Sequence, residues 1–494
     1  MKKNNLFKAV GIVILAYVLI SWIVPIVYSI GDFKGEVSYQ IGLISLINVV
    51  LETFSGFGSV VLYVLMVGAF YGVLKATGAY DKVMDHLTEK ATGKEKTALI
   101  VTIVLMTLVS SVSGLDLGLL VVFPLLIGFI TKIGYDKLVA LSATAGATLV
   151  GMFGATYAGT LYGANNTVLS LKRNSQMIPK CVLLVLGLAC LLFFVLKYIK
   201  NNGTIKEVKV SSKKSESKKV AASKKVAVKK VEKKDTKSKK ATKKDKGERS
   251  AVPALVVLCN LFVVMFLGTT KWDLIFKSNW FSKAHEAWTG ATISKFKILE
   301  KLFGGVDAFG TWLTPTRFQT YSLLLVLTML AIIIIYRTKL SDAFEGFVDG
   351  LKSFVVPAIL TILACSVFVA VYYNPVLTTV MTALLSATKE FNVAITGIYT
   401  IINSLFYVDY YYLAYAVLYG IPQVFDDANT LSIISVMFTS LYSLVMLVAP
   451  TSVILLISLS ISDVKYTDWI KFIWKLAVAL FVISFVVFTI MLLV

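Results

Sequence analysis

Long stretches free of Asp, Glu, Lys and Arg recur along the 494 residues. In the first half they cover 9–31, 53–74, 97–131, 138–171 and 181–196. In the second they cover 250–270, 318–336, 353–388, 391–425, 428–462 and 476–494. Two of them, 97–131 and 391–425, qualify only if one acid in each is set aside: Asp116 and Asp409. A bilayer core about 30 Å thick takes around 20 apolar residues per helical span. The pattern therefore predicts an all-α polytopic membrane protein. Several runs are too long for one straight helix and hold Gly, Asn or Pro inside them, which predicts hairpins and discontinuous helices. The run after MKKNNLFKAV ends in Trp22 and Pro25 with no small-residue cleavage site, so it reads as an uncleaved first span.

Composition sharpens this. The chain is 57% hydrophobic and 16% charged, against roughly 25% charged in soluble proteins. That excludes a cytosolic enzyme, a secreted disulfide scaffold and a β-barrel. Of the net charge of +21, residues 201–250 account for most, with 18 Lys and one Arg against six acids. This tract has no aromatics and cannot bury enough surface to fold. It divides the chain into a first transmembrane half (1–200), a disordered Lys-rich linker (201–250) and a second half (251–494) with an external loop at about 269–316. The linker is a tether and a candidate surface for anionic lipid; without aromatic interleaving, no nucleic acid is expected. Cys181, Cys190, Cys259 and Cys365 lie in apolar runs and read as small core residues. With only His86 and His285 besides, neither a transition-metal site nor a cofactor is expected.

Loop charges set an orientation. Lys2, Lys3 and Lys8 precede the first span, and residues 75–96 hold five lysines. Together with the linker they mark the cytoplasmic side of a multi-pass protein in the cell (cytoplasmic) membrane. The N-terminus and linker are then both inside. Six crossings of the first half satisfy this if 97–131 counts as two passes or as an equivalent hairpin.

The second half repeats the first. The runs 97–131 and 391–425 are each 35 residues long, with the single acid at positions 20 and 19. Each is followed by another long run, 138–171 or 428–462, interrupted by GMFGATYAGTLYGANN (151–166) or VAPTSV (448–453). Lys132 and Lys137 flank the first junction, whereas the second holds Asp426 and Asp427. Opposite charge implies opposite sidedness, hence an inverted repeat of the kind secondary transporters use, with substrate near the midplane.

Irregular backbone inside a bilayer is tolerated only where it lines water or protein. SSVSGLDLG (110–118) makes a good hairpin tip. Ser110, Ser111 and Ser113 offer hydroxyls to a carboxylate or a sodium ion, and Gly114 allows a tight turn. Asp116 and Asp409 are intramembrane acids with no base in their own runs, and so are functional candidates by default. Beside Asp409, Asn403 and Ser404 complete the second tip, and Tyr407, Tyr410, Tyr411 and Tyr412 offer ring faces to a cation. Thr156, Thr160, Asn165 and Asn166 in the first broken helix have counterparts in Pro450, Thr451 and Ser452 of the second. Ser113, Asp116, Asp409 and Thr451 are the candidate sodium ligands, as hard oxygens suit that ion.

Four passages resemble the YfcC family, within the C4-dicarboxylate anaerobic carrier-like group of the ion transporter superfamily. They are SWIVPIVYSIGDF (21–33), VLYVLMVGAFYGVLKATGAYDKVMDHL (61–87), FPLLIGFITKIGYDKLVA (123–140) and APTSVILLISLSISDVKYTDWIKFIWKL (449–476), with a weaker match at 341–368. The resemblance implies a carrier of organic solutes, with dicarboxylates or amino acids as substrates and basic amino acids favoured for the YfcC branch. Pro450, Thr451 and Ser452 match that family's P-T-S, and Asp116 falls in its acidic hairpin region. NSLFYVDYYY (403–412) and YAGTLYGANN (157–166) depart from its hairpin and N-P-F motifs, so fold transfers better than substrate.

The expectation is an inverted-repeat secondary active transporter coupled to Na+ or H+. Two acids without a buried Lys or Arg partner favour a cationic solute, so an amino acid leads, a basic one exchanged for its product among them. A C4-dicarboxylate is the alternative. A membrane-embedded enzyme would need a nucleophile and base together, and neither His86 nor His285 lies in a span. A lipid-tethering scaffold would depend on the Lys tract, and a channel would conduct without saturable exchange. A homodimer is an open partner.

Overall fold

In the computed structural model, the described residues are 2–30, 40–171, 175–202, 250–292, 306–377 and 390–493, with isolated positions between 297 and 301 and between 379 and 388. Most of the Lys-rich linker (203–249) lies outside them. Among the described residues, nine helices are long and apolar enough to cross a bilayer.

The first half runs α1 (Lys2–Ile30), α2 (Leu43–Ala76), the amphipathic α3 (Ala79–Ala91) and α4 (Glu95–Ser113). A 3-10 turn (Leu117–Val121) leads into α5 (Phe123–Lys132). Next come α6 (Lys137–Leu141), a π-turn (Ser142–Gly146), α7 (Ala147–Phe153), α8 (Gly159–Val168) and α9 (Met177–Asn202). The second half opens with α10 (Val252–Thr269) and two short helices, α11 (Trp272–Phe276) and α12 (Trp280–Gly290). It then repeats the plan: α13 (Arg317–Ile335), α14 (Leu340–Tyr373), α15 (Val393–Phe406), α16 (Tyr410–Val417), α17 (Ala428–Met446), α18 (Val453–Ser462) and α19 (Tyr466–Leu493).

The repeat is inverted, as expected, and helix contacts show why. Along α2 and α14, Thr53 meets Ser366 (Oγ1–Oγ, 3.0 Å), Phe57 meets Phe368, Gly68 meets Gly350 and Gly72 meets Gly346. From Thr53–Ser366 through Gly68–Gly350 to Gly72–Gly346, rising numbers on one helix meet falling numbers on the other, so these equivalent helices are antiparallel. Their crossing is close because of glycine: a Cβ on Gly72 would stand 2.0 Å from the Gly346 carbonyl oxygen. The halves also exchange partners symmetrically. Helix α1 packs on α14 and α13 on α2, while α8 meets α16 and α18 meets the 3-10 turn and α5.

The run 97–131 is a re-entrant hairpin rather than two passes. Lys132 at the end of α5 pairs with Asp85 of α3 at 2.5 Å, returning the chain to the side from which α4 began. In the second hairpin, Phe391 before α15 stacks edge-on with Phe425 beyond α16, at 5.7 Å. Equivalent acids start the two broken helices. Asp136 caps α6 through the Val139 amide, and Asp427 caps α17 through the Thr430 amide, both at 2.8 Å.

Of the four cysteines, only Cys365 is buried, whereas Cys181 and Cys259 are exposed on helix faces. The reading of all four as core residues is corrected accordingly: apolar runs facing lipid admit small residues without packing them.

Candidate functional site

Both hairpin tips and both helix breaks converge between the repeats. Helix α4 ends because Gly114 takes a left-handed conformation (φ +71°), which costs a side-chain-bearing residue more. A Cβ there would also stand 2.2 Å from Thr160 Oγ1. The tip is laced to the first break. The Thr156 amide and hydroxyl donate to the Ser111 carbonyl (2.9 and 3.2 Å), Ser111 Oγ donates to the Gly154 carbonyl (2.7 Å), and Thr160 Oγ1 donates to the Gly114 carbonyl (2.8 Å). Ser113 Oγ donates to the Val109 carbonyl (2.6 Å) and receives the Leu115 amide (3.0 Å). From α2, Tyr63 and Tyr71 donate to the Gly118 and Val121 carbonyls (2.6 and 2.7 Å), satisfying the return limb. The second tip repeats the lacing, with Thr451 Oγ1 donating to the Leu405 carbonyl at 2.7 Å. Asn403 and Ser404 donate back within α15, to Tyr399 and Thr400.

A cavity of about 50 Å³ lies between the tips, lined by Asp116 and Leu117, Val408 and Asp409, Phe57, Phe318, Cys365, Tyr442 and Ser452, among others. It has room for a few waters or an ion. Sites that hold an organic ligand run to roughly 300–1,000 Å³, so this conformation is closed around the site. Asp116, Asp409 and Ser452 are the sequence-predicted residues that line it. Ser452 is fully buried at the N-cap of α18, and its hydroxyl has no hydrogen-bond partner among the described residues. Ser111, Gly114, Thr156, Thr160 and Thr451 hold tips to breaks instead, Ser113 bonds only within its own tip, and the buried Ser110 hydroxyl has no hydrogen-bond partner among the described residues. Asn165 sits in a separate cluster: it accepts from Tyr410 Oη (2.9 Å) and donates to Ser435 Oγ (2.9 Å) and Thr439 Oγ1 (3.3 Å). Asn166 and Pro450 are half-buried beyond the cavity lining.

Two expectations are corrected. One of the acids, Asp116, does have a buried base. Arg317, the first residue of α13, directs Nη2 to both carboxylate oxygens of Asp116 (3.2 and 3.1 Å) and Nη1 to the Leu313 carbonyl (3.1 Å). Its side chain is 3% exposed, against 22% for Asp116. Removing one partner of such a pair typically costs about 3–5 kcal/mol. A second buried cation, Lys180, lies 3.5 Å from the Tyr162 ring centroid, with neither residue in the cavity lining. Nor do Tyr407, Tyr410, Tyr411 and Tyr412, expected to offer ring faces to a cation, line the cavity. Tyr410 is engaged with Asn165, Tyr411 stacks on Tyr415, Tyr412 packs on Phe57 and Phe368, and the cavity's tyrosine is Tyr442. Asp409 instead caps α16, accepting the Tyr411 amide at 2.9 Å, with no ion-pair partner among the described residues.

Arg317 escaped sequence reasoning because it stands just before the charge-free run 318–336, where a basic residue reads as an ordinary span flank. The available signal was indirect: two acids at bilayer depth demand a counter-charge from somewhere.

Residues 33–493 match the DcuC family, described as C4-dicarboxylate anaerobic carrier. The chain belongs to that family. A chain of this family is a membrane carrier. The solved Alcanivorax borkumensis YdaH transporter is similar at 13% identity over 97% of this chain and 98% of its own, with a TM-score of 0.41; membership rests on the family match alone. No curated protein matches.

Proposed function

We propose that this DcuC-family carrier moves a C4-dicarboxylate across the cytoplasmic membrane in symport with protons. The observation that carries the reading is Arg317, a buried guanidinium behind the cavity lining that grips the cavity's Asp116 and is of the kind that recognises carboxylates. With Asp116 already engaged by it, the case for a basic amino acid built on two unpartnered acids is lost. The second carboxylate of a diacid meets the free Ser452 hydroxyl and the N-terminus of α18, where Val453 and Ile454 also line the cavity.

Charge balance supplies the coupling. Arg317 with Asp116 and Asp409 leaves one net negative charge, and a dianion would raise it to three. Two like charges 5 Å apart repel by about 3 kcal/mol at an effective dielectric constant of about 20. Cations must therefore enter with the substrate. A substrate carboxylate displaces Asp116 from Arg317, and Asp116, stripped of its counter-charge, takes up the proton. A proton suits this place better than sodium, because a metal cation there would face the guanidinium. The groups facing Asp116 are Arg317 and Tyr321 on α13, Tyr63 on α2, Tyr442 on α17 and Asp409 on the second tip.

A second reading has one observation behind it. Asp409 makes no ion pair with another described residue, so an amino acid could place its ammonium there and its carboxylate on Arg317. Counterflow in proteoliposomes with labelled succinate, aspartate, arginine and ornithine, at set pH gradients with and without sodium, separates these. Succinate exchange that strengthens with an inward proton gradient is expected. Arginine or ornithine exchange with succinate silent would overturn the proposal. Orientation follows loop charge: α1's N-terminus and the Lys tract inside, Asp426 and Asp427 outside.

A further inference from the structure

Helices α9 and α19, the last helix of each repeat, lie side by side with the end of α9 against the start of α19. Between them opens a groove of about 600 Å³ whose floor includes Phe194, Tyr198, Phe472 and Leu476. Its rim carries Lys197, Lys471 and Lys475 against one acid, Asp468. On the other flank of α9 lies a second groove of about 600 Å³, floored by Tyr135, Phe193, Leu196 and Ile199 and rimmed by Lys96, Lys197 and Lys200. Lys197 and Phe193 belong to both. Five lysines and one acid thus line the two grooves around the last two turns of α9, where Tyr198 also donates to a second acid, Asp136, at 2.7 Å. None of the five makes an ion pair with another described residue.

These grooves face the bilayer. Phe193 is 67% exposed, and Val185, Val478 and Val482 along the same two helices are more than half exposed. Lysines flanking a span are ordinary in themselves. Here they converge on two apolar, aromatic-floored channels that open where acyl chains end and headgroups begin. An apolar channel crowned by unpaired ammonium groups matches a phosphate carried on acyl chains. Two channels sharing one lysine match a lipid with two phosphates and four chains.

We propose that the α9–α19 end of the molecule binds an anionic phospholipid, with a diphosphatidylglycerol straddling α9 and Lys197 between its phosphates. The site is separate from the substrate cavity and does not depend on the transport reading.

The test uses the full-length protein, Lys tract included, in mixed micelles. Phosphatidylcholine, phosphatidylglycerol or diphosphatidylglycerol is added, or soluble glycerol phosphate, and the thermal midpoint is followed. Diphosphatidylglycerol should raise the midpoint by about 3 °C or more. Phosphatidylglycerol should do less, and the other two nothing. Lys197→Gln with Lys471→Gln and Lys475→Gln should lose most of the response, the tract being unaltered. Native mass spectrometry of the wild type and of the single variant Lys197→Gln is the second measurement, should the triple variant fail to fold. One tightly retained diphosphatidylglycerol in the wild type, lost in the variant, is expected. An undiminished response in the triple variant would place the lipid on the tract and overturn the proposal. An equal rise with phosphatidylcholine, or with glycerol phosphate, would overturn it as simple chain filling or free-phosphate binding.

Discussion

The two hairpin tips share a plan and differ in charge. Each ends a helix near the middle of the protein, and each is laced to a helix break by a threonine, Thr156 to Ser111 and Thr451 to Leu405. Each also presents one aspartate to the same cavity. Yet Asp116 is gripped by Arg317, whereas Asp409 spends its carboxylate capping α16 and makes no ion pair with another described residue. Helix α1, the counterpart of α13, is uncharged from Ala9 to Ile30, so inversion supplies no second arginine. Symmetry builds the cavity. Its breaking gives one acid a buried guanidinium and leaves the other without an ion pair among the described residues.

The most direct way to break this comparison is Arg317→Gln. It should lower succinate counterflow at least 100-fold, in keeping with about 3–5 kcal/mol for a disrupted buried pair. Arg317→Lys should recover only part, because an ammonium lacks the planar fork. Counterflow within threefold of wild type would make the asymmetry irrelevant to transport.

Asp116→Asn sharpens the difference between the tips. It imitates the protonated acid and frees Arg317, so proton-driven accumulation should fall at least tenfold while counterflow persists with a lower KM. Asp409→Asn keeps the helix cap, since Asn caps as well as Asp, so the protein should still insert and proton-driven accumulation should fall here too. Wild-type uptake should rise as the pH on the entry side falls, because the proton is a co-substrate. Full proton-driven accumulation by both variants would remove the acids from coupling.

Ser452→Ala comes next. Losing one hydrogen bond of about 1–1.5 kcal/mol should raise KM roughly five- to tenfold with little change in maximal rate. Thr156→Val and Thr451→Val compare the lacing itself. Each should lower the thermal midpoint by a few degrees, the first more because Thr156 also lies 3.3 Å from Ser111 Oγ. The smallest effect is expected from excising 205–248, where a tether leaves counterflow within about twofold of wild type.

Much of the fold was legible. Charge-free runs located the spans, and matched run lengths with one acid each located the hairpins. Gly114 and the 448–453 interruption marked two of the places where helices break. The site was legible only where chemistry and break coincide, at Asp116, Asp409 and Ser452. Hydroxyls such as Ser111 and Thr451 have the same composition whether they bind a solute or hold a loop. Spacing alone does not separate those uses.

The sequence by itself determined which segments enter the bilayer, that they come as two oppositely oriented sets, and that two acids lie at depth. Those properties follow from local hydrophobicity and loop charge, which each segment carries independently of its neighbours. Tertiary structure alone decided that Arg317 serves Asp116 from 201 residues away and that Asp409 makes no ion pair with another described residue. It also decided that five lysines gather around the end of α9. Pairing of charges depends on distance in space, and in a protein of crossed and inverted helices that distance bears no relation to separation along the chain.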